Sequence, residues 1–172
     1  MVDVLTAEQR QLNMSRIRGR DTKPEMFIRR GLHACGLRYR LQDRKLPGRP
    51  DLIFPRHRAV IFVHGCFWHG HDCPLFKLPK TRRDFWNAKI LSNRSRDKRA
   101  EDTLLEHRWR VATVWECSLK GINKLGGDEV IQQCRSFLLS KEITQINIRG
   151  AGRTHEKQQQ DLAAIACQPG LS

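Results

Sequence analysis

Ten consecutive residues, His64-Gly65-Cys66-Phe67-Trp68-His69-Gly70-His71-Asp72-Cys73, constrain this chain more than any other feature. Two thiols and three imidazoles crowd a loop with almost no core-forming side chains of its own. Such a segment is ordered only if something ties it down, and tetrahedral zinc, which takes four sulfur or nitrogen ligands, is the natural tie. Cys66, Cys73 and one histidine supply three ligands. The spacing does not settle which histidine, and it is not that of a zinc finger or ribbon. Cys117 is the best fourth ligand, because it follows the apolar stretch Val111–Trp115 and can reach the loop from a neighbouring strand. Glu116 beside it is a candidate to orient a ligand from behind. The alternative is a set of buried thiols, but those do not ordinarily cluster with histidine in a polar loop.

The residues around this loop define the fold class. Asp51-Leu52-Ile53-Phe54, a Pro55-Arg56-His57 turn and Arg58–His64 read as a hairpin. Val60 and Phe62 face one way and Ala59, Ile61 and Val63 the other, which suits a strand inside a covered sheet. Arg38–Gln42 is a further candidate strand, and Leu46-Pro47-Gly48-Arg49-Pro50 is turn chemistry. Thr22 with Glu25 three residues on forms a capping box, and Pro24 is tolerated in the first turn of the helix they open. Phe27, Ile28, Leu32, Cys35 and Met26 supply its apolar face, and Gly36 ends it. Thr81 with Asp84 caps a long helix to about His107. Arg110–Trp115 is a second buried strand. A last helix spans Asp128–Leu139 and carries Cys134 in the core. The order of elements predicts an α/β fold, a mixed central sheet flanked by helices. Residues 1–20 read as an N-terminal arm or weak helix, 21–148 as the folded domain and 149–172 as a flexible tail that holds His155 and Cys167.

Charge narrows the function. The 172 residues carry 32 Lys and Arg against 18 acids, a formal charge of +14. A polyanion is the expected partner. No apolar run of about 18 residues is available to cross a membrane. The first residues lack a basic and an apolar region of signal type, so a cytoplasmic protein is expected, with its cysteines as thiols or metal ligands.

Asp51 opens the hairpin, and the hairpin brings it near the end of the Val60–His64 strand. A carboxylate there suits Mg²⁺, which takes oxygen ligands and binds phosphate. His64 and His69 then stand where they can exchange protons with a phosphate or its attacking water. Asp51 as a turn residue is the plainer alternative, and for Glu25 the cap is the simpler role. Phe67-Trp68 and Phe85-Trp86, with Arg82, Arg83 and Lys89 nearby, suit stacking on bases while the cations meet phosphates. Phe85 is expected in the core, and Trp109 and Trp115 are expected to be structural. Arg94-Ser95-Arg96-Asp97-Lys98-Arg99 reads as a solvated basic face that can also meet phosphate.

Taken together, Asn13-Met14, Arg20-Asp21-Thr22, Leu46–Asp51, Val60–His69, Cys73, Phe85-Trp86 and Val114–Cys117 resemble the very-short-patch repair (Vsr) DNA mismatch endonucleases. The resemblance covers about residues 12–139. It implies a restriction-endonuclease-like fold with a structural zinc. It also implies Mg²⁺-dependent nicking of double-stranded DNA 5′ to the T of a T·G mismatch, the product of 5-methylcytosine deamination. It implies Cys66, His71, Cys73 and Cys117 as zinc ligands, selecting His71 over His69. Asp51 and the main-chain carbonyl of Val63 would bind Mg²⁺. His69 would be the base, supported by Glu25, and His64 would hold the scissile phosphate or a metal-bound water. Phe67, Trp68 and Trp86 would enter the base stack, with Met14 in the other groove. Monomeric action is implied, and mismatch-repair proteins are candidate further partners. The chain departs from ordinary restriction enzymes, whose acid-x-lysine pair is replaced by Phe62-Val63-His64, and Val63 stands where the family resemblance leads one to expect threonine. Two other readings compete: a restriction-type nuclease acting on paired DNA, and a zinc-stapled DNA-binding module without catalysis.

Overall fold

The computed structural model describes Gln9, residues 19–41 and residues 43–151. Met14, His155, Cys167 and most of both expected terminal segments lie outside the described residues.

Helix α1 runs Lys23–Ala34. Thr22 is its N-cap, with its Oγ1 accepting from the Glu25 N–H at 3.4 Å. The Glu25 carboxylate reaches back to the Thr22 hydroxyl at 2.8 Å and the Asp21 N–H at 2.9 Å. The capping box therefore forms as its sequence demands. Ile28 and Leu32 are fully buried on its inner face, while Phe27 is 42% exposed. Cys35 is exposed rather than in the core. The helix has ended by then, Cys35 is its C-cap, and Gly36 turns the chain at φ +79°. Helical spacing no longer governs where that side chain points.

The sheet holds β1 (Leu52–Phe54), β2 (Ala59–His64), β3 (Arg110–Trp115) and β4 (Gln145–Ile148), in that spatial order. β1 is antiparallel to β2, and β2–β3 and β3–β4 are parallel. The crossovers are α2 (Arg83–Glu106) between β2 and β3, and α3 (Gly127–Leu139) between β3 and β4. β2 is an inner strand with two covered faces. Ala59 and Ile61 pack with α1 and α3 residues Ile28, Leu32, Val130 and Phe137. Val60 and Phe62 pack with Leu104 of α2. The structure is thus three layers, α1 and α3 on one face of the sheet and α2 on the other.

Two segments differ from expectation. Of the expected strand Arg38–Gln42, Gln42 lies outside the described residues, and among the described ones Arg40 forms an isolated bridge to Ile53. β4 is absent from the sequence reading, since Gln-Ile-Asn-Ile at an edge buries only Ile148. The entry to α2 also differs. Its N-cap is Arg82 in the left-handed region, φ 53°, and no side chain there caps the helix, so Thr81 does not serve. At the other end of β3 and α3, the Arg110 guanidinium donates to the carbonyls of Leu138 and His57, both at 3.0 Å. It also donates to the carbonyls of Phe137 and Ser140. A cation thereby satisfies the open carbonyls at the end of α3.

The turn before β1 is fixed by Gly48. Its φ is +71°, and a Cβ there would lie 2.8 Å from Ala100 Cβ and 3.1 Å from the Phe62 ring. Only glycine meets both demands. This close approach of the turn to α2 delivers Asp51 to the mouth of the sheet.

Candidate active site and metal centre

The site stands at the C-terminal ends of the parallel strands β2 and β3, where open α/β sheets commonly bind ligands. Antiparallel register sets Leu52 against Ile61, so Asp51 lies level with the end of β2. There its Oδ2 accepts the Val63 N–H at 2.7 Å. Burial pushes the Asp51 carboxyl up to about 6. The Val63 N–H opposes that rise, and the nearby Glu25 charge adds to it. A carboxylate held this way is short of positive charge.

Beside it, the His64 and His69 rings stack with centroids 3.8 Å apart and planes 3° from parallel. Burial, then the neighbouring His69, drives His64 down to about 3, against the opposing pull of Asp97. His69 Nδ1 is hydrogen-bonded to Asp97 Oδ2 at 2.5 Å. Burial alone would raise the Asp97 carboxyl, but the hydrogen bond and charge of His69 outweigh it and hold it below the ordinary carboxylate value. His64, His69 and Asp97 offer ligand atoms within 4.8 Å of one another.

Asp97 joins this group from within the run Arg94–Arg99, which by sequence reads as a solvated basic face. A signal was there. Ile90, Asn93, Ala100 and Leu104 are the buried positions of α2. Asp97 falls on that stripe, between Asn93 and Ala100, so it faces inward. Glu25 is only 4% exposed. Its oxygens are engaged by Thr22, the Asp21 N–H and Arg29, the last at 3.1 Å. His69 meets Asp97 directly, while Glu25 stands near Asp51, whose carboxyl its charge helps to raise.

On the far side of the same loop, Cys66, His71, Cys73 and Cys117 bring ligand atoms within 4.8 Å of one another and could hold a metal ion. The four come together as anticipated. A tetrahedral ion with bonds of about 2.3 Å to sulfur and about 2.0 Å to nitrogen would set sulfur and nitrogen about 3.5 Å apart. His71 Nδ1 stands 3.8 Å from Cys66 Sγ and 3.5 Å from Cys117 Sγ. The donor set and its spacing therefore suit such an ion. The two buried sulfurs share a hydrogen bond that favours charge on Cys117, whose thiol falls to about 4, while that of Cys66 rises. His71 and the Gly150 N–H, 3.4 Å from Cys117 Sγ, support the charged sulfur. Residue 150, the second residue of the segment expected to be tail, is thus part of the fold. Cys134 is buried away from this cluster, as its helix face predicts.

Trp115 belongs to the site as well as to the strand. It stacks on His71 at 4.1 Å and meets His64 edge-on at 5.3 Å, bridging the two clusters. The loop aromatics meet α2. Phe67 lies 5.2 Å from Trp68 and 5.3 Å from Trp86, centroid to centroid. All three are half-buried, and Asn93 Nδ2 donates to the Trp68 carbonyl at 2.8 Å. Phe85, expected in the core, is 48% exposed. The left-handed entry to α2 turns it outward, under the Arg82 guanidinium at 4.4 Å. Arg82, Arg83 and Lys89 are all exposed around these rings.

The chain is a mixed α/β protein with a cysteine–histidine cluster that could hold a metal ion, a buried aspartate, a histidine pair and an aromatic rim. A family model described as DNA mismatch endonuclease Vsr matches residues 2–75. The Type II nicking enzyme V.XorIIP of Xanthomonas oryzae is 49% identical over 125 residues, 73% of this chain and 92% of that protein. The DNA mismatch endonuclease Vsr of Escherichia coli is 43% identical over 151 residues, 87% of this chain and 97% of that protein. The Type II nicking enzyme V.HpaIIP of Haemophilus parainfluenzae is 42% identical over 116 residues, 66% of this chain and 82% of that protein. The chain belongs to the Vsr family of DNA mismatch endonucleases. Among the described residues, no helix is long and apolar enough to cross a membrane.

Proposed function

We propose that this protein nicks double-stranded DNA 5′ to the T of a T·G mismatch, with Mg²⁺ at Asp51 and structural Zn²⁺ in the cysteine cluster. The observation that carries the reading is the Asp51 carboxylate, fixed by the Val63 N–H at 2.7 Å beside the His64–His69–Asp97 group. A bound divalent ion supplies charge that polarises the phosphate and eases deprotonation of water. Asp51 and the Val63 carbonyl hold that ion. With His69 Nδ1 engaged by Asp97, Nε2 is the nitrogen that takes the proton of the attacking water. His64, held neutral by its surroundings, positions the scissile phosphate. Cys66, His71, Cys73 and Cys117 keep the loop in place so that His64 and His69 stay in register.

Phe67, Trp68 and Trp86 form the edge that enters the base stack. Unstacking costs least at a mispaired step, so an aromatic edge favours the mismatch energetically. Arg82, Arg83 and Lys89 meet the phosphates, and Met14 completes the wedge from the N-terminal arm. The +14 charge suits DNA as partner. The protein acts as a cytoplasmic monomer of restriction-endonuclease-like fold.

The test is nicking of a duplex library with one central T·G mismatch in varied flanks, beside matched duplexes. Mg²⁺-dependent cutting 5′ to the mismatched T, lost in Asp51→Ala, is the expected result. Equal cutting of matched duplex would replace this reading with a restriction-type nuclease. DNA binding with no nicking in any context would leave a zinc-stapled binding module.

A further inference from the structure

We propose that His64, His69 and Asp97 form a second metal site, for a borderline divalent ion such as Zn²⁺ or Co²⁺, and that filling it blocks nicking. The donor set is two imidazoles and one carboxylate, with ligand atoms within 4.8 Å of one another. Such a set suits zinc, cobalt and nickel far better than magnesium, which prefers oxygen and keeps its waters. The site differs from the cysteine cluster in donors and in access. Cys66 and Cys117 are buried, whereas His64, His69 and Asp97 are all part-exposed at the mouth of the sheet.

The donors are near one another, but the rings must move. A bound ion lies in the plane of each imidazole that holds it, so one ring tilts out of the parallel stack, now 3.8 Å between centroids, while Asp97 stays beside His69. A tetrahedral ion sets nitrogen and oxygen ligands about 3.3 Å apart, from bonds of about 2.0 Å. The 2.5 Å contact between Asp97 and His69 therefore opens slightly around the ion, while the remaining donors draw in from within 4.8 Å. Two of the donors belong to β2 and its following loop and the third to α2. Asn93, one turn before Asp97, already ties α2 to that loop through the Trp68 carbonyl. The structure thus needs side-chain rotation rather than a backbone rearrangement to take the ion. The consequence follows from which groups it occupies. His69 can no longer take a proton and His64 can no longer meet the phosphate, while Asp51 is left to its own ion. The ion that completes the cysteine cluster at low concentration becomes an inhibitor in excess.

The inhibitory part rests on the nuclease reading, but the ion binding does not. Full-length protein with its cysteine cluster filled by Zn²⁺ is titrated with Co²⁺, with bound metal counted by equilibrium dialysis and visible absorption. The expected result is one further Co²⁺ per chain, with weak visible bands and no thiolate charge-transfer band. That ion is lost in His64→Ala and in the milder Asp97→Asn, both checked for folding by circular dichroism, and kept in Asp51→Ala. Failure to bind it, or binding indifferent to Asp97→Asn, overturns the site, and loss in Asp51→Ala alone makes it the Mg²⁺ site. In parallel, Zn²⁺ is titrated against Mg²⁺-supported nicking. Half-inhibition is expected to need at least about tenfold more Zn²⁺ in Asp97→Asn, as for loss of one metal contact. Nicking insensitive to Zn²⁺ while the ion binds overturns the antagonism. A wild-type chain that does not nick at all defeats the nuclease reading, and the ion count still decides the site.

Discussion

Two clusters share one ten-residue loop and treat it in opposite ways. His64 and His69 turn toward Asp51 and Asp97, while Cys66, His71 and Cys73 turn toward Cys117. The cysteine side is closed: two buried sulfurs, a histidine stacked on Trp115, and a backbone N–H from Gly150 on the charged sulfur. The aspartate side is open and strained in charge, with one carboxyl pushed up and one imidazole pushed down. Closed, soft-donor clusters stabilise; open, oxygen-bearing ones leave room for substrate. A single loop can serve both because it turns back on itself, the His69 N–H donating to the Gly65 carbonyl at 3.3 Å and the His71 N–H to the Cys66 carbonyl at 2.9 Å. The stability of one cluster sets the precision of the other.

Breaking the closed side should therefore have the largest effect. Cys117→Ser removes the proposed ligand that comes from the 3₁₀ turn after β3 rather than from the loop. The variant is expected to lose its metal to a chelator and its melting temperature to fall by roughly 10 °C, given about 2–4 °C per kcal/mol in a chain of this size. Nicking should fall with it. Full activity and unchanged metal content in Cys117→Ser would sever the two clusters.

Breaking the open side should do the reverse to stability. Asp51→Asn is expected to abolish nicking. Its effect on folding follows from the sign of the shift. The folded carboxyl titrates near 6, above its ordinary value. The folded state therefore holds its proton more tightly than the unfolded one, and stability falls as pH rises from the ordinary value through about 6. An asparagine cannot ionise and still accepts the Val63 N–H. Metal-free Asp51→Asn should melt above the wild type at pH 8 and close to it at pH 4. Calorimetry of the two proteins at both values checks this, and a variant less stable at pH 8 contradicts the account of Asp51.

The same contrast explains what was legible from sequence. The cysteine cluster was, because sulfur and imidazole in a polar loop have few other uses, although spacing alone left His69 and His71 open. The β1–β2 hairpin and the two faces of β2 were, because period-two alternation and a proline turn are local signals. Asp97 was not. Its neighbours are all polar, and only the inward stripe Ile90, Asn93, Ala100, Leu104, spread over four turns of a mostly polar helix, shows its direction. Cys35 and Phe85 were misplaced for a related reason. Both sit at helix ends, where chain reversal overrides helical spacing. β4 stayed hidden because an edge strand that buries one residue carries little pattern.

His69 and Asp97 sharpen the comparison within the open side. His69→Ala removes the proposed base and should lower kcat by about 10²–10⁴. Asp97→Asn keeps the ring but weakens its orientation, and a loss of about 10–100-fold is expected. Asp97 also carries a stability effect of the opposite sign to that of Asp51. Its folded carboxyl titrates below the ordinary value. Its contribution is then present above that value and is lost as pH falls through the folded one. Wild type should melt above Asp97→Asn at neutral pH, with the gap closing in acid. Equal nicking by Asp97→Asn and wild type would return Asp97 to the solvated face where its sequence seemed to put it.

The rim should matter least to metal binding and stability, since neither cluster is touched there. Trp86 meets Phe67 and Trp68 at 5.3 and 6.0 Å but bonds to neither cluster. Trp86→Ala should leave metal content and the pH profile alone. It removes part of the edge that enters the stack, and base stacking on an aromatic is worth about 1–3 kcal/mol. Nicking of mismatched duplex should fall by roughly 5- to 150-fold by that figure. The residual rate should depend less on the mismatch, since less unstacking is demanded of the DNA. Lys89→Ala, on the same turn, should instead weaken mismatched and matched binding alike and lower the salt slope by about one unit. If Trp86→Ala altered the slope and Lys89→Ala the discrimination, the aromatic edge would be a phosphate-facing surface and not the element that senses the mispair.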